Sequence, residues 1–255
     1  MTATQTPPNR AGWDEAALAD PHAQRDKAAR VQAMFDAIAP TYERVNRVVS
    51  LGMDARWRSA AIRLAEIRAT DVVADLCCGT GDMIRALAAH KPAPRLILGV
   101  DFAANMLARG LYGDLQAPVQ LIRADALRLP LADESMDALT CAFGVRNFQS
   151  LERGLAEMRR VLRPGGRAVI LEFALPENPL VRWGYRRYCE AVLPRLGTWI
   201  SRDRSGAYRY LPKSIATFER RSAMVDRLRR GGFSDVVARP MNLGGVVVYR
   251  AVLRP

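Results

Sequence analysis

From residue 71 to residue 173 the chain alternates short apolar runs with stretches of helical pattern, and this alternation restricts the fold more than any other feature. The runs "DVVADL" (71–76), "RLILGV" (95–100), "VQLIRA" (119–124), "MDALTCAFG" (136–144) and "GRAVILEF" (166–173) read as strands. Several are β-branched and apolar on both faces, as buried parallel strands are. Between them "GDMIRALAAH", "AANMLARGL" and "LERGLAEMRRVL" read as helices, and Pro and Gly in "RPGG" stop the last one and turn the chain into the next strand. Strand and helix in alternation predict an α/β fold with a doubly wound, mostly parallel sheet. A helix is expected at about 214–230, closed by Gly231 and Gly232. After it come "SDVVARP" and "GGVVVYRAVL", joined only by "NLGG", which makes a hairpin and therefore one antiparallel strand.

On either side of this core the pattern differs. Residues 1–30 mix Pro, Thr, Asn and Ala without sustained apolar periodicity and are expected to be a mobile tail. Val31, Met34, Phe35 and Ile38 then recur at helical spacing up to Pro40, so 31–68 reads as N-terminal helices with a loop around "APTYERVN". Residues 69–178 form the expected core, 179–213 a helical cap insert, and 214–255 the last helix and strands, all within one domain over 31–255. The cap carries Trp183, Trp199, Tyr185, Tyr188, Tyr208 and Tyr210 among many arginines. Such side chains pack down on a sheet, or they form a lid whose cations meet anionic headgroups.

The turn after the first strand, "DLCCGTGD" (75–82), offers three readings: a metal site, a redox pair or a cofactor-binding turn. Two histidines, His22 and His90, and no second cysteine pair leave no tetrahedral ligand set, so no metal is expected. Cys77 and Cys78 are adjacent, without the two-residue spacer of a redox pair. What remains is the position where doubly wound folds hold a cofactor, with Gly79 and Gly81 giving the backbone a sharp turn and close access. A dinucleotide turn reads G-x-G-x-x-G and receives phosphate; here Asp75 and Asp82 would repel phosphate and suit a cationic amino-acid ligand. Asp101, ending the second strand, is placed for both hydroxyls of a ribose, and Asp125, following the third, for an adenine amino group. Helix capping accounts for Asp75 or Asp101 taken singly. Acidic residues after three successive strands fit a phosphate-free, positively charged nucleoside, which describes S-adenosylmethionine.

At this point the sequence resembles the class I S-adenosylmethionine-dependent methyltransferases, with their Rossmann-like sheet. It is most similar to the ubiquinone/menaquinone biosynthesis C-methyltransferases, the UbiE/MenG family. The similarity runs over about 31–253 through "MFDAIAPTYERVN", "DLCCGTGD", "GVDFAANML", "ADALRLPLADESMDALTCAFGVRNF", "EMRRVLRPGGRAVILEF", "YRYLPKSI" and "GGVVVYRAV". It implies cofactor contacts at Thr80, Asp101, Asp125 and Ala126, with Asp75, Gly79 and Gly81 forming the turn. It also implies methyl transfer to a ring carbon of a polyprenyl quinol, with Arg146 and Asn147 of "FGVRN" at the substrate oxygen and Tyr42 closing over the cofactor. Two positions depart from the family: Ala142, where many members have a serine that touches the cofactor, and Tyr249, where many have histidine.

Net charge of +12 favours an anionic partner. RNA methylation is the rival enzymatic reading, and a cofactor-binding protein without catalysis the non-enzymatic one. No nucleic acid is expected, because the basic residues interleave with aromatics in the cap and no RNA-binding module is recognisable. Four cysteines are too few for a disulfide scaffold, and no apolar run is long enough to span a bilayer. The expected location is therefore cytoplasmic, with peripheral contact at the inner face of an anionic membrane. The oligomeric state is left open, a homodimer included.

Overall fold

The computed structural model describes residues 12–110, 112, 115–192, 195 and 205–254. Residues 1–11 of the expected tail lie outside the described residues, as does the part of the cap at 193–194 and 196–204, Trp199 included. The strands are β1 (Val72–Leu76), β2 (Leu96–Asp101), β3 (Val119–Arg123), β4 (Met136–Ala142), β5 (Leu162–Phe173), β6 (Phe233–Met241) and β7 (Val246–Leu253). They form one seven-stranded sheet in the order β3-β2-β1-β4-β5-β7-β6. β1 to β5 pair in parallel, and β7 runs antiparallel to both β5 and β6. The doubly wound sheet with one reversed strand is thus as expected. Strand order reverses between β1 and β4, so the crevice at their carboxyl ends is where such a sheet takes ligands.

Helices cover both faces: α1 (Glu15–Ala19), α2 (Lys27–Ile38), α3 (Tyr42–Val49), α4 (Asp54–Ala65), α5 (Asp82–Ala88), α6 (Ala104–Arg109), α7 (Leu151–Val161), α8 (Pro179–Arg187), α9 (Ala207–Ala216) and α10 (Arg221–Arg230). Successive residues of a strand face opposite sides of its sheet. Val72, Ala74 and Leu76 accordingly enter one core with Leu155 and Met158 of α7 and Met224 and Leu228 of α10. Val73 enters another with Trp57 of α4 and Ile84 and Leu87 of α5. Asp75 shares the face of Val73.

Three expectations need correction. Residues 12–30 are not a mobile tail: Trp13, Ala17 and Leu18 are buried in a third cluster with α2, α6 and α9, and Trp13 stacks on Tyr210 with ring centroids 4.2 Å apart. Asp14 caps α1 by accepting from Ala17 N at 2.8 Å. "APTYERVN" is mostly helix rather than loop, since the chain turns only at residues 39–41 before α3 begins at Tyr42. The helix expected at 214–230 is two helices, α9 and α10. Tyr208 and Tyr210 of α9 belong to the N-terminal cluster and Met224 and Leu228 of α10 to the sheet core, so the chain bends at 217–220 to serve both.

Candidate active site

β1 leads into α5 through a turn in the left-handed region, with φ of 55° at Cys77, 56° at Gly79 and 89° at Gly81. A side chain at Gly81 would place its Cβ 2.4 Å from the Tyr112 ring. The turn is tied to the end of β2: Cys78 N donates to Val100 O at 3.0 Å and Gly79 N to Asp101 Oδ2 at 2.8 Å. The other Asp101 oxygen accepts from Ala103 N at 2.8 Å. Both oxygens keep lone pairs for a ligand. Burial raises the pKa of Asp101.

Asp75 stands behind the turn. Its Oδ1 accepts from the Thr140 hydroxyl at 2.6 Å, and its Oδ2 is buried without a hydrogen-bond partner, as is the Thr80 hydroxyl. Burial pushes the Asp75 carboxyl up to about 7, against the Thr140 hydrogen bond. Unsatisfied buried polar atoms are costly, and a ligand bringing donors and positive charge to this turn would relieve them.

Asp82 does not face that ligand. It pairs with Arg58 at 3.0 Å and Arg85 at 2.5 Å, so its charge is already met by guanidinium groups. The sequence showed its carboxylate but not the arginines that the fold brings to it.

The cleft above the turn encloses about 670 Å³, counted out to its mouth. Gly79, Asp101, Asp125, Ala126, Asn147 and Tyr42 line it, with Ala142 and Cys77, whereas Asp75, Thr80 and Gly81 lie in the layer behind. Asp125 is exposed at the rim, its carboxylate accepting from Leu127 N at 2.9 Å.

A second, larger cleft of about 1430 Å³ shares Phe35, Tyr42 and Phe143 with the first. Tyr185 and Tyr188 from the cap, Tyr208 and Tyr210 from α9, and Trp57 and Phe173 line it with aliphatic side chains from α2 to α4. The buried cations Arg58 of α4, which pairs with Asp82, and Arg146, on the 3₁₀ turn Val145–Asn147 that follows β4, also line it. The Arg146 guanidinium pairs with Glu172 Oε1 at 2.7 Å, donates to Phe143 O at 2.6 Å and lies 5.4 Å from the Phe173 ring centroid. Burial most strongly disfavours its charge, but the Glu172 carboxylate, Tyr210 and Tyr42 together leave its pKa above the usual value. Its Nε is buried without a partner. Asn147 donates to Phe143 O at 3.1 Å and accepts from the Tyr210 hydroxyl at 2.9 Å.

This arrangement sets a slot with acidic residues at its wall and rim against an aromatic chamber. The family model described as the ubiE/COQ5 methyltransferase family matches residues 23–252. The chain belongs to that family. A Deinococcus radiodurans protein named demethylmenaquinone methyltransferase is 45% identical over 213 residues, covering 82% of this chain and 87% of that one. A Syntrophotalea carbinolica protein named ubiquinone/menaquinone biosynthesis C-methyltransferase UbiE is 41% identical over 218 residues, covering 85% and 91%. Among solved structures, phosphoethanolamine N-methyltransferase 2 of Haemonchus contortus superposes with a TM-score of 0.62 at 14% identity over 91% of this chain and 60% of that one. That last likeness concerns the fold alone.

In this methyltransferase the sequence gives no site signal for Phe35, Phe102, Met106 and Phe148 in the first cleft or for the α2 and α4 residues of the second. Phe35 carried a signal, an apolar residue at helical spacing, but nothing that separates a wall from a core. Tyr249 is buried in the sheet core and lines neither cleft, so its departure from the family falls outside both. Among the described residues no group of three or more His, Cys, Asp or Glu side chains could hold a metal ion.

Proposed function

We propose that this methyltransferase adds a methyl group to a ring carbon of a polyprenyl quinol, in the formation of menaquinone, ubiquinone or both. The observation that carries the reading is the pair of joined clefts: a slot with acidic residues for a nucleoside opens through Phe35, Tyr42 and Phe143 into an apolar chamber large enough for a fused ring and the start of an isoprenoid chain. The names of the relatives from Deinococcus radiodurans and Syntrophotalea carbinolica agree with it.

Bound S-adenosylmethionine supplies an electrophilic methyl group. Asp101 holds the ribose hydroxyls; Asp125 and Ala126 flank the adenine; Gly79 and Gly81 let the backbone approach; Thr80 and Asp75 stand behind that backbone. A ring carbon becomes nucleophilic when a neighbouring hydroxyl of the reduced quinol ionises. Arg146 and Asn147, at the junction of the clefts, donate hydrogen bonds to that oxygen. As the carbon gains the methyl group the sulfur keeps the electron pair of the broken S–C bond, and the carbon then gives up its own hydrogen as a proton, which restores the aromatic ring. Tyr42 and the shared phenylalanines align the carbon with the methyl group and exclude water.

The chain of such a substrate resides in a bilayer, and exposed apolar side chains on this protein suit contact with one. Leu51 is 80% exposed at the rim of the larger chamber, Leu243 is 80% exposed, and α8 presents Leu180 and Trp183 at 77% and 61%. Arg182, Arg186 and Arg187 surround Trp183. Apolar anchors among arginines suit the anionic inner face of a membrane, met from the cytoplasm. No described helix is long and apolar enough to cross one.

The direct test offers S-adenosylmethionine with a short-chain demethylmenaquinone. One methyl group should be gained, as read by mass spectrometry, only while a reductant keeps the ring as quinol. Methylation of the oxidised quinone, or of structured RNA at a comparable rate, would sink the reading.

A further inference from the structure

Lys27 is only 3% exposed, although it opens α2. The N-terminal end of a helix carries partial positive charge and disfavours a cation, so helix stability does not account for a buried lysine there. Its surroundings do. Nζ lies 2.8 Å from Arg146 O, 2.6 Å from Phe148 O and 3.0 Å from His22 Nδ1. The other imidazole nitrogen, Nε2, lies 3.0 Å from Ser214 O.

Donor chemistry fixes the protons. A carbonyl only accepts, so Nε2 of His22 carries the hydrogen, and Nδ1 is left as an acceptor. Burial first, then the charge of Lys27, lowers the His22 pKa, which keeps the ring neutral. The ammonium has three N–H groups and meets three acceptors. A neutral amine has two, and one of the three acceptors then loses its donor.

The carbonyls in question belong to the residues on either side of Asn147. More of the N-terminal segment grips the same turn. Gln149 Nε2 donates to Gln24 O at 2.9 Å, and Gln149 Oε1 accepts from Ala28 N at 2.9 Å. The Asn147 side chain is held by Tyr210, on which Trp13 stacks.

We infer that Lys27 is a positioning residue, whose ammonium clamps the turn over 145–148 so that Arg146 and Asn147 point into the junction of the two clefts. The clamp itself rests on geometry; its effect on turnover rests on the roles given to Arg146 and Asn147 above. The groups facing the ammonium are His22 and Asp20 from the chain before α2, Arg146 from the turn and Glu172 from β5. Burial, then Arg146, pull its pKa down to about 8, against the two carboxylates. The clamp is therefore complete at neutral pH and weakens near pH 8, where the neutral amine keeps two of its three donors.

Hydrogen–deuterium exchange of the full-length protein tests the clamp independently of any substrate. In Lys27→Met, protection over residues 144–149 should fall at least about tenfold, the scale of lost hydrogen bonds to a charged group, while β1 and β4 keep theirs. Unchanged protection at 144–149 overturns the clamp. Should the variant lose protection across the whole sheet, the wild type decides. Its protection at 144–149, taken relative to β4, should fall between pH 7 and pH 9, and a constant ratio overturns the proposal. A second arm reads turnover with the reduced quinone. Lys27→Met should lower kcat about tenfold or more with the Kd for S-adenosylmethionine within about twofold. The wild-type alkaline limb near pH 8 should be absent from Lys27→Arg, whose guanidinium does not titrate there. If exchange changes as expected and turnover does not, the clamp stands and the roles of Arg146 and Asn147 fail.

Discussion

The two clefts are built in opposite ways. The smaller is made mainly of strand ends and the turns that follow them, Cys77 and Gly79 after β1, Asp101 at the end of β2, Asp125 after β3 and Gly144 after β4, with Phe35, Tyr42 and Met106 added from helices. Each group is fixed by backbone a few residues away, and its chemistry follows from its place at the edge of the sheet. The larger is made mainly of side chains from α2, α3, α4, the cap and α9, elements far apart in sequence whose contacts fix its shape, packed against Phe143, Arg146 and Phe173 from the sheet edge. A site hung on a sheet edge tolerates the loss of a ligand contact without losing the sheet. A chamber assembled from packed helices uses the same residues for shape and for stability, so damage to one is damage to the other.

The sharpest contrast concerns the buried ion pair. Removing Arg146 leaves Glu172, 1% exposed, with an unpaired charge, and breaking such a pair costs about 3–5 kcal/mol. Arg146→Met should therefore lower unfolding stability by that amount in urea titrations as well as abolish turnover. Replacing Glu172 by Gln in the same chain should recover most of the stability without restoring turnover. If Arg146→Met is as stable as the wild type, the two clefts do not differ in this way.

On the sheet edge the cost appears in affinity. Asp101→Ala removes a charged hydrogen-bonding group worth about 1.5–3 kcal/mol, so the Kd for S-adenosylmethionine by calorimetry should rise at least about tenfold. Gly79 N and Ala103 N lose their acceptor as well; Gly79 lies at the cleft, where water replaces it, and buried Ala103 N is left with the cost of one unsatisfied donor, about 1–3 kcal/mol. The urea midpoint should accordingly move less than for Arg146→Met. An unchanged Kd removes Asp101 from the ribose.

The same contrast explains what the sequence made legible. The five parallel strands, the reversed β7 and the turn at 75–82 could be read because each depends on local pattern: β-branched runs, a "NLGG" hairpin, glycines between a strand and a helix. Gly79, Asp101, Asp125 and Ala126 came together in one cleft for that reason. What could not be read depends on partners remote in sequence. Asp82 looked like a ligand group until Arg58, from α4, was brought against it. Trp13, Ala17 and Leu18 form one short apolar stripe in a polar stretch, too brief to mark a helix by periodicity, and only the stack on Tyr210 gives it a place. Lys27 carried no signal at all, since a lysine is ordinarily exposed; its two carbonyl acceptors lie more than a hundred residues away.

The smallest expected effect belongs to α8, which contributes no buried residue to either core. Its first turn is well made, with Asn178 Oδ1 accepting from Leu180 N at 3.0 Å and Pro179 at the start, so the helix stands without help from Leu180 or Trp183. Leu180→Ser combined with Trp183→Ser should then shift unfolding stability by no more than about 0.5 kcal/mol per site, as exposed substitutions do. The consequence should appear at a membrane instead. Wild-type protein should sediment with phosphatidylglycerol-rich vesicles at low salt, where each arginine near the surface contributes about 1 kcal/mol, and should release as salt screens the charge. The double variant should be retained several-fold less, because the arginines remain but the apolar anchors do not. Equal retention of the two proteins, or equal binding to neutral vesicles, would mean that α8 is not what meets the bilayer, and that the chamber receives its substrate by another face.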